Sequence, residues 1–190
     1  KGRERVLIVC EGEKTEPNYF NEMSYSLGLT SMDIVVCGEE CGSDPRSIVE
    51  FALERFKEDQ GFDWVYCVFD KDSHGTYNEA IDIANRKRMP KGSKLETIKS
   101  VPCFEYWILL HFLKTTKPYT KCDGVIKEVK GVFRKYNKGM DGLYGSIKDL
   151  TDKARKNSLY AMAQARKTGT DDPSTEIHIL VNKLRQISNL

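Results

Sequence analysis

Two apolar runs, each ending in a cluster of carboxylates, limit what this chain can become. The first, Val6–Cys10, opens into Glu11-Gly12-Glu13-Lys14-Thr15-Glu16, and the second, residues 64–69, opens into Asp70-Lys71-Asp72. Short apolar runs bounded by polar residues read as buried strands. Carboxylates just past such strands fall at the sheet edge where open α/β proteins place ligands. Several carboxylates gathered there repel one another unless something offsets the charge, and a divalent cation, Mg²⁺ or Mn²⁺, is the simplest offset. The pattern points to metal-assisted phosphodiester chemistry.

Strand and helix patterns alternate through the first half. Tyr19, Phe20, Met23 and Leu27 recur at helical spacing after the first strand. Thr15 is the expected N-cap, Glu16 and Pro17 fall in the first turn, and Gly28 is the stop. Residues 34–36 form a short strand, and Ser43-Asp44-Pro45 opens a helix carrying Ile48, Val49, Ala52, Leu53 and Phe56. After the strand at 64–69 come a helix near 77–87, a strand at 95–98 and a helix over 104–113 that is apolar nearly all round and therefore buried. This alternation implies parallel βαβ units. From residue 123 the pattern is helical. Val125, Val129, Val132, Phe133 and Tyr136 make one stripe, a polar Ala-rich helix covers 150–167, and Asp172-Pro173 is the expected cap and first turn of the last helix. The expected organisation is an α/β core over 1–122, with a mostly parallel Rossmann-like sheet flanked by helices, and a helical extension over 123–190 packed on it.

With 190 residues and a net charge of +2, the chain has no overall basic field that would announce nucleic acid. Local basic runs do occur, at Arg86-Lys87-Arg88 with Lys91 and Lys94, and at Arg134-Lys135 with Lys138; such runs often mark no more than a solvated face. No stretch approaches the roughly 20 apolar residues that span a bilayer. Lys1–Arg5 has no apolar signal core behind it, so a cytoplasmic location is expected. The six cysteines then read as reduced structural thiols. Cys37 and Cys41 have neither a second close pair nor a neighbouring His to make a zinc site.

The string from Val9 to Phe20, together with Ser43-Asp44-Pro45, Val68-Phe69-Asp70-Lys71-Asp72, Pro102-Cys103-Phe104-Glu105-Tyr106-Trp107 and Pro173-Ser174-Thr175-Glu176-Ile177-His178, resembles the RloB-like family in content and order. That family includes AbiLii-type components of two-gene phage-defence systems whose partner is an AAA/ABC-type ATPase. The resemblance implies a variant of the Toprim fold and a Mg²⁺- or Mn²⁺-dependent nuclease acting in abortive infection. Its strand-end Glu-Gly corresponds to Glu11-Gly12 and its Asp-x-Asp to Asp70-Lys71-Asp72. OLD-type enzymes place a second Glu a few residues after the first; Glu16 fills that place one residue later, and Glu105 is a further acidic candidate.

Glu11, Asp70 and Asp72 are thus the expected catalytic residues and metal ligands, with Glu16 and Glu105 as second-metal candidates. Asp70 and Asp72 lie one residue apart, so they share a face of an extended strand or converge through a turn. Gly12 leaves backbone room for a phosphate, Lys14 and Lys71 balance its charge, and His74 and Lys138 are further contacts to phosphate or nucleic acid. His111 reads as a hydrogen-bonded core histidine or an auxiliary group. Glu176 and His178 reach back to the site or serve the last helix. Two other readings compete: a module that binds nucleotide or nucleic acid without cutting it, and a phospho-acceptor or phosphatase on a doubly wound sheet.

Overall fold

The computed structural model describes residues 4–30, 34–38, 42–71 and 75–189. Strand β1 (Val6–Cys10) is buried along its whole length, as its unbroken apolar run requires. Its neighbours are β2 (Ile34–Cys37) and β3 (Trp64–Asp70), both parallel. β4 (Lys94–Val101) pairs parallel with β3 along all seven residues of that strand, which extends it well beyond the expected 95–98. The sheet order is β2-β1-β3-β4-β5, where β5 is the two-residue strand Ser174–Thr175. The chain steps from β1 outward to β2 and then back across to β3, so the topological switch lies between β1 and β3. In an open α/β sheet that is the crevice where ligands sit. This is a Rossmann-like α/β fold.

Alternation within the strands divides the core. Leu7, Val9, Val65, Cys67 and Phe69 meet helices α2 (Pro45–Glu58) and α3 (Tyr77–Arg86) on one face. Val6, Ile8, Cys10, Tyr66, Val68 and Ile98 face a larger cluster. That cluster draws on α1 (Thr15–Ser26), α4 (Glu105–Phe112), α5 (Cys122–Val132), α6 (Leu143–Ile147), α7 (Thr151–Thr168) and α8 (Ile177–Ser188). Helix α4 is buried from Glu105 to His111. The Trp107 indole at its centre donates a 3.0 Å hydrogen bond to the Tyr19 hydroxyl, tying α4 to α1.

Helix α2 opens at Ser43-Asp44-Pro45 as expected, and Asp44 caps it by accepting from the backbone N–H groups of Arg46 and Ser47. Gly28 and Gly169 end α1 and α7 at φ +67° and +69°, conformations that suit glycine. Four local expectations are corrected. Thr15 is not the cap of α1 but its first residue; its hydroxyl instead accepts from the Gly139 backbone N–H at 2.9 Å. Asp172-Pro173 does not begin the last helix. It leads into β5, which pairs antiparallel with Ser100 and Val101 on the otherwise open edge of β4, and α8 starts only at Ile177. The stripe beginning at Val125 is not one helix: α5 stops at Val132, which is exposed, while Phe133 and Tyr136 are buried in the turn beyond it. Cys103 and Cys122, nineteen residues apart, are joined in a disulfide rather than reduced, because α4 and α5 bring their N-terminal ends together.

Among the described residues no helix is long and apolar enough to cross a membrane. Trp107→Ala should remove the largest fully buried side chain and orphan the Tyr19 hydroxyl. The expected loss is about 3–5 kcal/mol of unfolding free energy in urea titrations followed by circular dichroism.

Candidate functional site

The register of β1 on β3 sets Cys10 level with Val68, and the Glu11 N–H continues the ladder by donating to the Val68 carbonyl at 2.9 Å. Glu11 and Asp70 therefore leave adjacent strands at one edge. The Glu11 carboxylate accepts from the Asp70 backbone N–H at 2.9 Å, so each fixes the other's position. Helix α1 begins four residues after Glu11 and carries Glu16, which is buried. Glu105, buried at the start of α4, completes the acidic group. Its Oε1 accepts from the Tyr136 hydroxyl at 3.0 Å, and its Oε2 lies 3.3 Å from Cys122 Sγ.

An open cleft of about 360 Å³ lies over this edge, lined by Glu11 to Glu16, Ser43, Asp70, Lys138 and Gly139. Gly12 has a role that its sequence context does not reveal. A Cβ there would sit 1.9 Å from Glu16 Oε2, so the missing side chain makes room for the Glu16 carboxylate rather than for a phosphate alone. Lys138 is held over the cleft because the segment after Tyr136 docks on α1: Gly139 N–H donates to Thr15 Oγ1, and the N–H groups of Gly142 and Tyr144 donate to Glu22.

The charge in the cleft is unbalanced. Burial, and then Glu16, Glu11 and Glu105, push the Asp70 carboxyl well above the usual carboxylate range, opposed by a hydrogen bond from the Phe104 backbone. Burial and Glu105 raise Glu16 to about 7, against the pull of its own backbone hydrogen bond and of Lys138. Crowded acids in this condition either hold protons or take a cation.

Carboxylate oxygens are the donors that hard divalent ions take. Yet among the described residues no three of these acids bring one oxygen each within 4.8 Å of one another. The group that does is Cys103, Glu105 and Cys122, and its two sulfurs are bonded to each other and unavailable as thiolates. Mg²⁺ keeps several waters and needs only one or two carboxylates, and Glu11, Asp70 and Glu16, which line the cleft, could offer them. Glu105, expected as a further ligand, does not line the cleft, and its oxygens face Tyr136 and Cys122.

Other expected residues lie elsewhere. Lys71 turns away from the cleft to pair with Asp171 at 2.6 Å. Glu176 does not reach the site and does not cap α8 with its side chain. It binds Lys99 instead, through the backbone N–H at 3.1 Å and the ammonium at 3.2 Å. His178 is buried against the Ser158 hydroxyl at 2.9 Å, lining a separate groove with Trp64 and Lys183. His111 is a core histidine: its Nδ1 lies 2.9 Å from the Trp107 carbonyl, and burial lowers its pKa to about 4. Lys14 does line the cleft. Asp72 and His74 fall outside the described residues. Sequence reasoning missed the Tyr136 and Phe104 contacts to Glu105 and Asp70, and the Thr15 hydroxyl that anchors Gly139. Each joins positions far apart in the chain, and no local spacing encodes them.

A doubly wound α/β sheet with buried carboxylates gathered at its switch point defines the class: a protein built to bind a charged ligand or cation at the strand ends. The RloB-like protein model matches residues 6–184. The chain belongs to the RloB-like family. No curated protein and no solved structure matches it.

Protonated Glu16 is the form that folding favours, so between its ordinary value of 4.5 and about 7 the native state holds the extra proton. Without metal, stability should therefore fall as pH rises through that window, by about 3 kcal/mol from this group. Urea midpoints in EDTA across the window check this, and Glu16→Gln should flatten the slope. Gly12→Ala should displace the Glu16 carboxylate and weaken the same pH dependence.

Proposed function

We propose that this protein is a Toprim-type nuclease that cleaves nucleic-acid phosphodiesters with Mg²⁺ or Mn²⁺, acting in the cytoplasm in phage abortive infection beside an AAA/ABC-type ATPase. The observation that carries the nuclease reading is the mutually repelling set of buried Glu16 and Glu105 and part-buried Glu11 and Asp70 at the switch point, with Lys138 drawing on the Glu16 charge. Family membership supports the defence context and the partner.

A bound divalent ion supplies charge relief on the leaving oxygen and a more acidic water. The chain's own groups supply the rest. Glu11 holds the Asp70 backbone and fixes its carboxylate. Glu16, on the cleft wall, is placed to take a proton from the attacking water or return one to the leaving group. Lys138 and Lys14 meet the phosphate from the open side of the cleft.

Asp70→Ala should reduce Mn²⁺-dependent cleavage of DNA and RNA by about 100-fold or more while the far-ultraviolet circular dichroism stays native. Cleavage at the wild-type rate would remove Asp70 from the mechanism. Metal-induced thermal stabilisation with no cleavage of any nucleic acid, ATPase partner included, would favour a binding role for the same cleft.

A further inference from the structure

The two basic runs in the sequence end up in opposite places. Arg86 closes α3, and Lys87 to Lys91 lead on to β4, at the edge where the parallel strands begin and on the α2–α3 face of the sheet. The second run belongs to a longer basic segment. Residues 114–138 carry eight Lys/Arg against two Asp/Glu, a net +6 in a chain whose total is +2, which leaves the remainder at net −4. This positive field is attached to the acidic cleft. Helix α5 leaves the cluster at Cys122, beside Glu105, and lies along α4 as far as Phe133, whose ring stacks on Phe112 at 5.3 Å. The chain then returns to Glu105 at Tyr136 and enters the cleft lining at Lys138.

Within this segment Lys114 lies over the Tyr160 ring, and Asp123, exposed in the first turn of α5, is the one acid on the face of Lys127 and Lys130. Glu128 is taken up by Lys117 and the Tyr119 hydroxyl. Lys121, Lys127, Lys130 and Arg134 are exposed, and none of them makes an ion pair with another described residue. Lys127 and Lys130, three residues apart, share a face of α5, with Arg134 in the turn beyond. Compensation of the helix dipole accounts for Lys130 near the C-terminal end. It does not account for Lys121, a cation at the N-cap position with no side-chain capping bond.

We propose that this α5 ridge, from Lys121 to Arg134, binds the phosphate backbone of the nucleic acid and leads it past Lys138 into the acidic cleft. The inference rests on the nuclease reading for what happens in the cleft, but not for binding itself. The α5 ridge is about 16 Å long, enough to follow roughly five phosphates of one strand. It also resolves an electrostatic conflict. A cleft of carboxylates repels a polyanion, and a flanking cationic track gives the strand a favourable approach. The contacts are with backbone, so binding is insensitive to sequence.

The test is fluorescence anisotropy with labelled single-stranded DNA, duplex DNA and RNA, each about 20 nucleotides long, in EDTA so that no cleavage occurs. K127E/K130E/R134E should raise Kd at least about tenfold and lower the salt dependence of log K by about 2. K127Q/K130Q/R134Q, which spares the helix end from like-charge strain, should show an intermediate loss, and K127R/K130R should bind as wild type. The matched K87E/R88E/K91E at the opposite edge should stay within about twofold. Equal loss in both triple reversals, no loss in the α5 variants, or no binding by the wild type to any of the probes would overturn the inference. Wild-type binding through this ridge, with no cleavage of the same probes once Mn²⁺ replaces EDTA, would sink the nuclease reading and leave the ridge standing.

Discussion

The parallel pairing of β1 with β3 is the constraint on which the rest depends. It sets Cys10 level with Val68, so Glu11 and Asp70 emerge side by side, and the carboxylate of one takes the backbone N–H of the other. A slip of one residue would turn every core side chain of β1 to the wrong face. It would also break that contact. The register that buries Val6, Ile8 and Cys10 on one face, and Leu7 and Val9 on the other, is thus the register that assembles the acidic edge.

That edge is where local and global preferences disagree. Glu16 and Glu105 are buried at the starts of helices, where a negative charge suits the dipole, yet they crowd Asp70 and one another. Gly12 is the concession that lets the Glu16 carboxylate enter. Tyr136 and the Phe104 backbone each satisfy one carboxylate and leave the summed charge untouched. Natural sequences tolerate such conflict mainly at functional sites. The helical half takes part in this site as well as in the core, because Lys138 and Tyr136 reach the cleft from beyond α5.

Much of the fold was legible because periodicity is local. The unbroken apolar run of β1, the Asp44-Pro45 start of α2 and the all-apolar face of α4 each report their environment within a few residues. Three of the errors share one physical cause. Thr15 looks like a cap until Gly139 claims its hydroxyl, Asp172-Pro173 looks like a helix start until the open edge of β4 recruits Ser174 and Thr175, and Lys71 looks free until Asp171 approaches. Each competing partner lies 70 or more residues away in the chain, where no local pattern can register it.

By itself the sequence determined strands β1 to β4, most of the helices that cover them, and the placement of Glu11 and Asp70 at strand ends, because burial and alternation are written in residue order. Only the tertiary structure decided which acids meet. It brought Glu16 and Glu105 to Asp70, sent Lys71, Glu176 and His178 to other partners, and set one basic run beside the cleft and the other across the molecule. Charge acts through space, and proximity in space is settled when the sheet order and helix packing close, not by spacing along the chain.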